Sequence, residues 1–159
     1  MRESRVPLVS VVLPVRNEVD HIEMCLDALL AQDYSGEIEI LVVDGLSDDG
    51  TYEILVKYAS CSGNIRVLKN PDRIVPFAMN VGIRNARGEI IVRVDARCIV
   101  ETDYVRQCVN YLRMMGAQNV GGPQRAVGDD AATNAIALAT TSPFGVGNSQ
   151  FRFSQQEQF

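Results

Sequence analysis

Apolar and polar positions along the chain fall into blocks whose period switches. Residues 8–14 (Leu-Val-Ser-Val-Val-Leu-Pro) are almost continuously apolar up to Pro14, the pattern of a strand buried on both faces. Ile22, Leu26, Leu29 and Leu30 then recur at helical spacing and predict a helix over about residues 20–32. After a Ser35-Gly36 turn, residues 38–43 form a second apolar run. Ser47 and Asp49 offer capping side chains for a helix in which Tyr52, Leu55, Val56 and Ala59 share a stripe. Residues 65–68 read as a short third strand, and Asn70-Pro71-Asp72-Arg73 as a loop. Pro76 suits the first turn of a helix running to about Ala86, and Gly88 suits its C-terminal cap. Residues 90–94 predict a fourth strand. Thr102 is expected to cap a helix carrying Val105, Cys108, Val109 and Leu112. Residues 118–120 predict a fifth strand, and the small residues of 131–141 a last helix.

Strands alternating with helices argue for an α/β domain, a mostly parallel sheet with helices on both faces. Residues 1–141 are expected to hold it. From Ser142 the chain turns glycine-rich and then polar without period, so 142–159 reads as a flexible tail or as part of an incomplete C-terminal half.

In such sheets ligands bind beyond the carboxyl ends of the strands, and each apolar run here ends in a polar cluster. The first is Pro14-Val15-Arg16-Asn17-Glu18: Asn17 can donate and accept toward a base edge, Glu18 can accept from ribose hydroxyls, and both also suit a plain helix-entry loop. The second is Asp44, with Ser47 and Asp49 better explained as loop and cap residues. The third is Asp95-Ala96-Arg97-Cys98, where a strand-end carboxylate suits Mg²⁺ or Mn²⁺. Arg93, inside the fourth apolar run, calls for the sheet rim or a carboxylate partner. Asn80 and Gly82 share a helix, and Gly82 marks a close approach of either the sheet or a ligand.

Composition narrows the classes. With 159 residues and 47% apolar content the chain can bury a core. A net charge of −5 argues against nucleic acid as a partner. The four cysteines, Cys25, Cys61, Cys98 and Cys108, lack metal or disulfide spacing; Cys25, Cys98 and Cys108 read as packing residues. His21, the lone histidine, reads as a solvated first-turn residue. No run nears the ~18 apolar residues of a membrane span, and Met1–Arg5 does not open a signal peptide. The expected location is cytoplasmic, with peripheral attachment to the inner face of the cell membrane left open. Oligomeric state leaves no signal in the sequence.

Pro14-x-x-Asn17-Glu18, Asp44-x-x-Ser47-x-Asp49-Gly50-Thr51, Asn80-x-Gly82, Ala86-x-Gly88-Glu89 and Asp95-Ala96, in this order over roughly residues 7–100, resemble the N-terminal half of inverting family 2 glycosyltransferases. Gly121-Gly122-Pro123-Gln124 and Ser142-Pro143-Phe144-Gly145-Val146-Gly147 are similar to the succinoglycan-type, bacterial exopolysaccharide branch. The resemblance implies a GT-A fold, a Rossmann-like domain for a nucleotide-diphospho-sugar, usually UDP-linked, with transfer to a saccharide or lipid-linked acceptor in polysaccharide biosynthesis. It implies a donor site from Pro14, Arg16, Asn17, Glu18, Asp44, Asn80, Asp95 and Arg97, with Asp44 at the base and Asp95 at the ribose and a cation–diphosphate. The family's second metal-binding acid is here Arg97, which puts the expected Mg²⁺ or Mn²⁺ in question; a guanidinium suits a phosphate instead. The family's usual Ala-Arg-Asn run reads Ala78-Met79-Asn80, without its arginine. The inverting base is an Asp of the family's second half, expected beyond residue 159, so the chain reads as a donor-binding portion inactive alone. The competing readings are a non-catalytic nucleotide-binding module or degenerate paralogue and, ranked lower for want of a glycine-rich loop after the first strand, a nucleotidyltransferase.

Overall fold

The computed structural model describes residues 5–128 and 130–142. The chain forms two compact units, Met1–Asn110 and Tyr111–Phe159. The first contains strands β1 (Val9–Val15), β2 (Ile38–Asp44), β3 (Ile65–Lys69) and β4 (Ile90–Arg93) and helices α1 (Ile22–Leu30), α2 (Thr51–Cys61) and α3 (Val75–Asn85). Helix α4 (Tyr104–Met115) begins in it, and α5 (Ala131–Thr140) lies in the second unit. The strands are all parallel in the order β3-β2-β1-β4.

The continuous apolar runs follow from burial on both faces. Val9, Val11, Leu13 and Val15 of β1 pack in one core with Ile22, Leu26 and Leu29 of α1, Leu55 of α2 and Val105 and Val109 of α4. Val12 faces the other way and packs with Leu41, Val43 and Ala78 of α3. Cys25 and Cys108 are buried, and Cys98 packs at the edge of the first core, as expected.

Several expectations need correction. Residues 118–120 form no strand; the described sheet stops at four strands. On α2 the packed face is Ile54, Leu55, Tyr58 and Ala59, while Val56 is exposed and Tyr52 lies under Lys69 Nζ at 5.8 Å. The start of α4 is closed from outside rather than by Thr102: Gln32 Oε1 accepts from Val105 N at 2.9 Å while Gln32 Nε2 donates to Glu101 O at 2.8 Å. Gly88 is not a helix cap, because α3 ends at Ala86 in extended backbone. Its missing side chain lets the chain pass β1, where a Cβ would stand 2.6 Å from Ser10 N. In the second unit, Asp130 and Thr133 close the start of α5 with a reciprocal capping box. The predicted tail from Pro143 to Phe159 lies outside the described residues.

Gly82 is explained by the sheet: a Cβ there would collide with the Val12 side chain, whose branched carbon restricts how far it can turn away. Gly82→Ala gains about 1 kcal/mol in helix propensity, yet overpacking of this kind costs about 1–3 kcal/mol. The expected outcome is a net loss of stability in urea denaturation. Gly63→Ala, where nothing lies within 4 Å of the new Cβ, should shift it by less than about 0.5 kcal/mol.

Candidate functional site

Four parallel strands deliver their carboxyl ends to one edge. The register pairs Val15 with Asp44 and Asp44 with Lys69, and places Arg93 beside Val12. The chain steps outward from β1 to β2 to β3, then returns to β4 on the far side of β1. The reversal between β1 and β4 is where an open sheet of this kind forms its ligand crevice. Pro14 helps to open it. Val12 O accepts from Val94 N at 3.2 Å, so Val12, and two residues later Pro14, turn their backbone groups toward β4. Strand β4 has ended at Arg93, so the proline's missing N–H falls where the ladder has already parted. Pro14 does not terminate β1 but sits buried in it, opposite Val43.

The loops after β1 and β2 are tied into one wall. Asp44, 1% exposed, accepts from Ser47 Oγ at 2.6 Å and from Ser47 N. Ser47 Oγ in turn accepts from Asn17 N at 3.0 Å. Asn17 stands at φ 53°, a left-handed conformation that Asn tolerates better than most residues. Both ends of its amide are engaged, Nδ2 donating to Asp48 Oδ1 at 2.9 Å and Oδ1 accepting from Asp48 N at 3.1 Å. The expectation that Asn17 offers its amide to a base edge therefore gives way to a bracing role. Asp49 accepts from Thr51 Oγ1 and Thr51 N, which holds its carboxyl below the usual range, and also from Val19 N. Thr51 Oγ1 also accepts from Glu18 N at 2.9 Å. Arg16 is exposed, its stem against Gly45.

Across the reversal point, Arg97 Nε donates to both oxygens of Glu18 at 2.9 and 2.8 Å. Glu18 is 15% exposed and has His21 Nδ1 at 3.3 Å. The Glu18 carboxylate holds the Arg97 guanidinium charged above its ordinary value. Burial alternates from Ile91 to Arg97: Val92, Val94 and Ala96 are buried, whereas Arg93, Asp95 and Arg97 are exposed. Arg93 grips Asp95 with two bonds, Nε to Oδ1 at 2.9 Å and Nη2 to Oδ2 at 3.2 Å, and Asp95 raises the arginine's pKa. That pairing answers why an arginine sits in an apolar run. Cys25, whose Sγ lies 3.8 Å from Asp95 O, is buried in the core, and burial above all pushes its thiol up to about 12.

Of the predicted site residues, Arg16, Asn17, Glu18, Asp44, Asp95 and Arg97 come to this edge. Asn80 does not join their hydrogen bonds and is exposed in the middle of α3. One residue escaped the sequence reading. Asn70, at the end of β3, is 1% exposed, bonds Asp44 O through its backbone N at 2.7 Å and braces Ile74 O with Nδ2. Among the described residues its buried Oδ1 has no partner. An Asn directly after a strand and before Pro71 was the available signal, and it reads equally as an ordinary turn.

The donor chemistry does not fit the divalent cation that the resemblance implies. Such an ion takes one or two protein carboxylates and fills the rest of its shell from substrate phosphates and water, yet the one acid on this stretch, Asp95, has both oxygens held by Arg93, and two residues on stands Arg97, a cation. Among the described residues no group of three His, Cys, Asp or Glu side chains is placed to hold a metal. No described helix is long and apolar enough to cross a membrane.

Comparison with known proteins gives concordant matches. The sequence profile of Glycosyl transferase family 2 matches residues 10–157. Glycosyltransferase AglE of Haloferax volcanii is 34% identical over 121 residues, 75% of this chain and 40% of that protein. The succinoglycan biosynthesis protein ExoA of Rhizobium meliloti is 31% identical over 144 residues, 89% of this chain and 44% of that protein. Among solved structures, the mannosyltransferase PcManGT from Pyrobaculum calidifontis, in complex with GDP-Man and Mn²⁺, matches with a TM-score of 0.66 and 29% identity over 77% of this chain and 36% of that one. TarS of S. aureus in complex with UDP matches in fold with a TM-score of 0.59 and 24% identity, over 74% of this chain and 38% of that one. The chain thus spans less than half the length of these relatives.

Proposed function

The chain belongs to glycosyl transferase family 2, and on that premise we propose that its strand-end crevice is the donor site for a nucleotide-diphospho-sugar, UDP-linked in the first instance. The observation that carries this reading is the Glu18–Arg97 bridge across the reversal between β1 and β4, next to a loop wall rooted on Asp44. Asp44 takes the base side. Pro14, Arg16 and the Asn17 clasp shape the nucleoside wall, and Asp95 and Arg97 border the diphosphate. Asn80, exposed on α3, is not carried into the site. The proposed reaction of the whole protein moves the sugar to a saccharide or lipid-linked acceptor in polysaccharide biosynthesis.

Inverting transfer requires a carboxylate to take the acceptor hydroxyl's proton. The described acids at the edge are engaged: Glu18 and Asp95 by arginines, Asp44 by Ser47. None of these three is therefore assigned as the base, and the role proposed for this chain is donor binding.

A thermal-shift screen of UDP, GDP and dTDP with their sugars tests the reading. A ligand at a hundred times its dissociation constant adds about 2.7 kcal/mol, which in a chain of this size raises Tm by roughly 5–10 °C. UDP or its sugars should give the largest rise. A flat response to every nucleotide would remove the donor-site assignment.

A further inference from the structure

We infer that this chain takes the donor's diphosphate with guanidinium groups, Arg97 foremost, in place of a divalent cation. The inference rests on the donor-site reading above and adds how the anion is held.

At the β1–β4 reversal two acids are already answered by arginines, Asp95 by Arg93 and Glu18 by Arg97. A cation entering between them would have to displace an arginine from a carboxylate and then sit beside it. An incoming diphosphate meets the opposite situation. Arg97 is 70% exposed, and Glu18 engages only its Nε. Among the described residues its two Nη groups have no partner, leaving the outer edge of the planar fork, the geometry that suits phosphate oxygens. Glu18 thus acts as a positioning residue: it fixes one edge of the guanidinium and so aims the other. Arg93 lies on the same exposed row as Arg97, with Nη1 left over from its two bonds to Asp95. Arg93 ends the last strand before the crevice and Arg97 follows it, where the β1–β4 reversal would place the diphosphate of a nucleotide lying across the sheet edge. PcManGT was solved with Mn²⁺; in this chain positions 93–97 carry two arginines and one acid.

Calorimetric titration of the 159-residue chain with UDP and with uridine, in EDTA and in Mn²⁺, reads the inference directly. UDP affinity in EDTA should stay within about twofold of its value in Mn²⁺. Arg97→Ala should weaken UDP about tenfold or more, as expected for a lost charge-assisted pair, and leave uridine within about twofold. Arg97→Asp rebuilds an acid two residues after Asp95, and its UDP binding should become dependent on Mn²⁺. A loss of more than about tenfold on chelation in the unaltered chain would overturn the inference while leaving the donor site standing, and that measurement needs no variant to fold. Equal weakening of UDP and uridine by Arg97→Ala would also overturn it. Absence of binding by either ligand in every buffer would bring down the donor-site reading, and this inference with it.

Discussion

Glu39→Ala is expected to cost about 3 kcal/mol of folding stability, because it strips the acceptor from two donors, Ser10 Oγ and Arg87 N, and a buried donor left unpaired costs about 1–3 kcal/mol. Glu39 is 2% exposed in β2, at the end of the sheet opposite the crevice. Its Oε1 accepts from Ser10 Oγ and Arg87 N, both at 2.6 Å, and its Oε2 accepts from Arg87 Nε at 2.9 Å. Ser10 Oγ also accepts from Gly88 N at 2.8 Å, so one carboxylate pins the α3–β4 crossover to β1 and β2 together. The buried donors, not the arginine's charge, set the magnitude. Arg87 is 67% exposed, and an exposed pair contributes about 0–1 kcal/mol. Arg87→Ala, which keeps the backbone N–H bond, should therefore cost under about 1 kcal/mol. Glu39→Gln, which can still accept from Ser10 and Arg87 N, should cost about 1–2 kcal/mol. Urea denaturation of the three variants gives the order; a larger loss for Arg87→Ala than for Glu39→Gln would show that the ion pair dominates.

The same carboxylate gives stability a pH dependence of known sign. Burial pushes the Glu39 pKa up, but the bonds from Ser10 and Arg87 outweigh it and hold the group below its ordinary value. A depressed acid contributes stability that is full above its unfolded-state pKa and is lost as pH falls through the folded one. The stability difference between the unaltered chain and Glu39→Gln should therefore be constant near neutrality and shrink below about pH 4.5, the ordinary value from which Glu39 departs.

The parallel fold was legible because its two central strands, β1 and β2, are buried on both faces, so the runs 8–14 and 38–43 stand out against helices with one apolar stripe. The failures have physical causes of their own. Residues 118–120 have local strand character, but nothing pairs with them among the described residues. Gly88 and Gly82 were recognisable as special, yet a sequence does not say which atoms approach; β1 does in both cases. At the site, residue types predicted position well because strand ends fix position. They predicted partners poorly because partners come from other loops: Asp48 for Asn17, Glu18 for Arg97. Asn17 illustrates the cost of reading donors and acceptors without their neighbours, since its amide is engaged before any ligand arrives.

Asp44→Ala should weaken UDP and uridine alike, by about 10- to 150-fold, the equivalent of the ~1.5–3 kcal/mol carried by a hydrogen bond to a charged group. The equality matters as much as the size. A residue on the base side is felt by any ligand carrying the base, whereas Arg97 is felt only by the diphosphate. Asp44 is also the root of the loop wall through Ser47 and Asn17, so its removal has two consequences that must be parted. Ser47→Ala cuts the wall while leaving the Asp44 carboxylate in place. Its two oxygens offer about four acceptor sites, and the bonds from Ser47 N remain to hold it. Direct contact between Asp44 and the base predicts that Ser47→Ala weakens uridine by less than about threefold, well short of the effect of Asp44→Ala. Matching losses for the two variants, read by calorimetry on folded protein, would assign Asp44 to bracing the loop and leave recognition of the base to Asn70, whose buried Oδ1 is the unpaired acceptor next along the sheet edge.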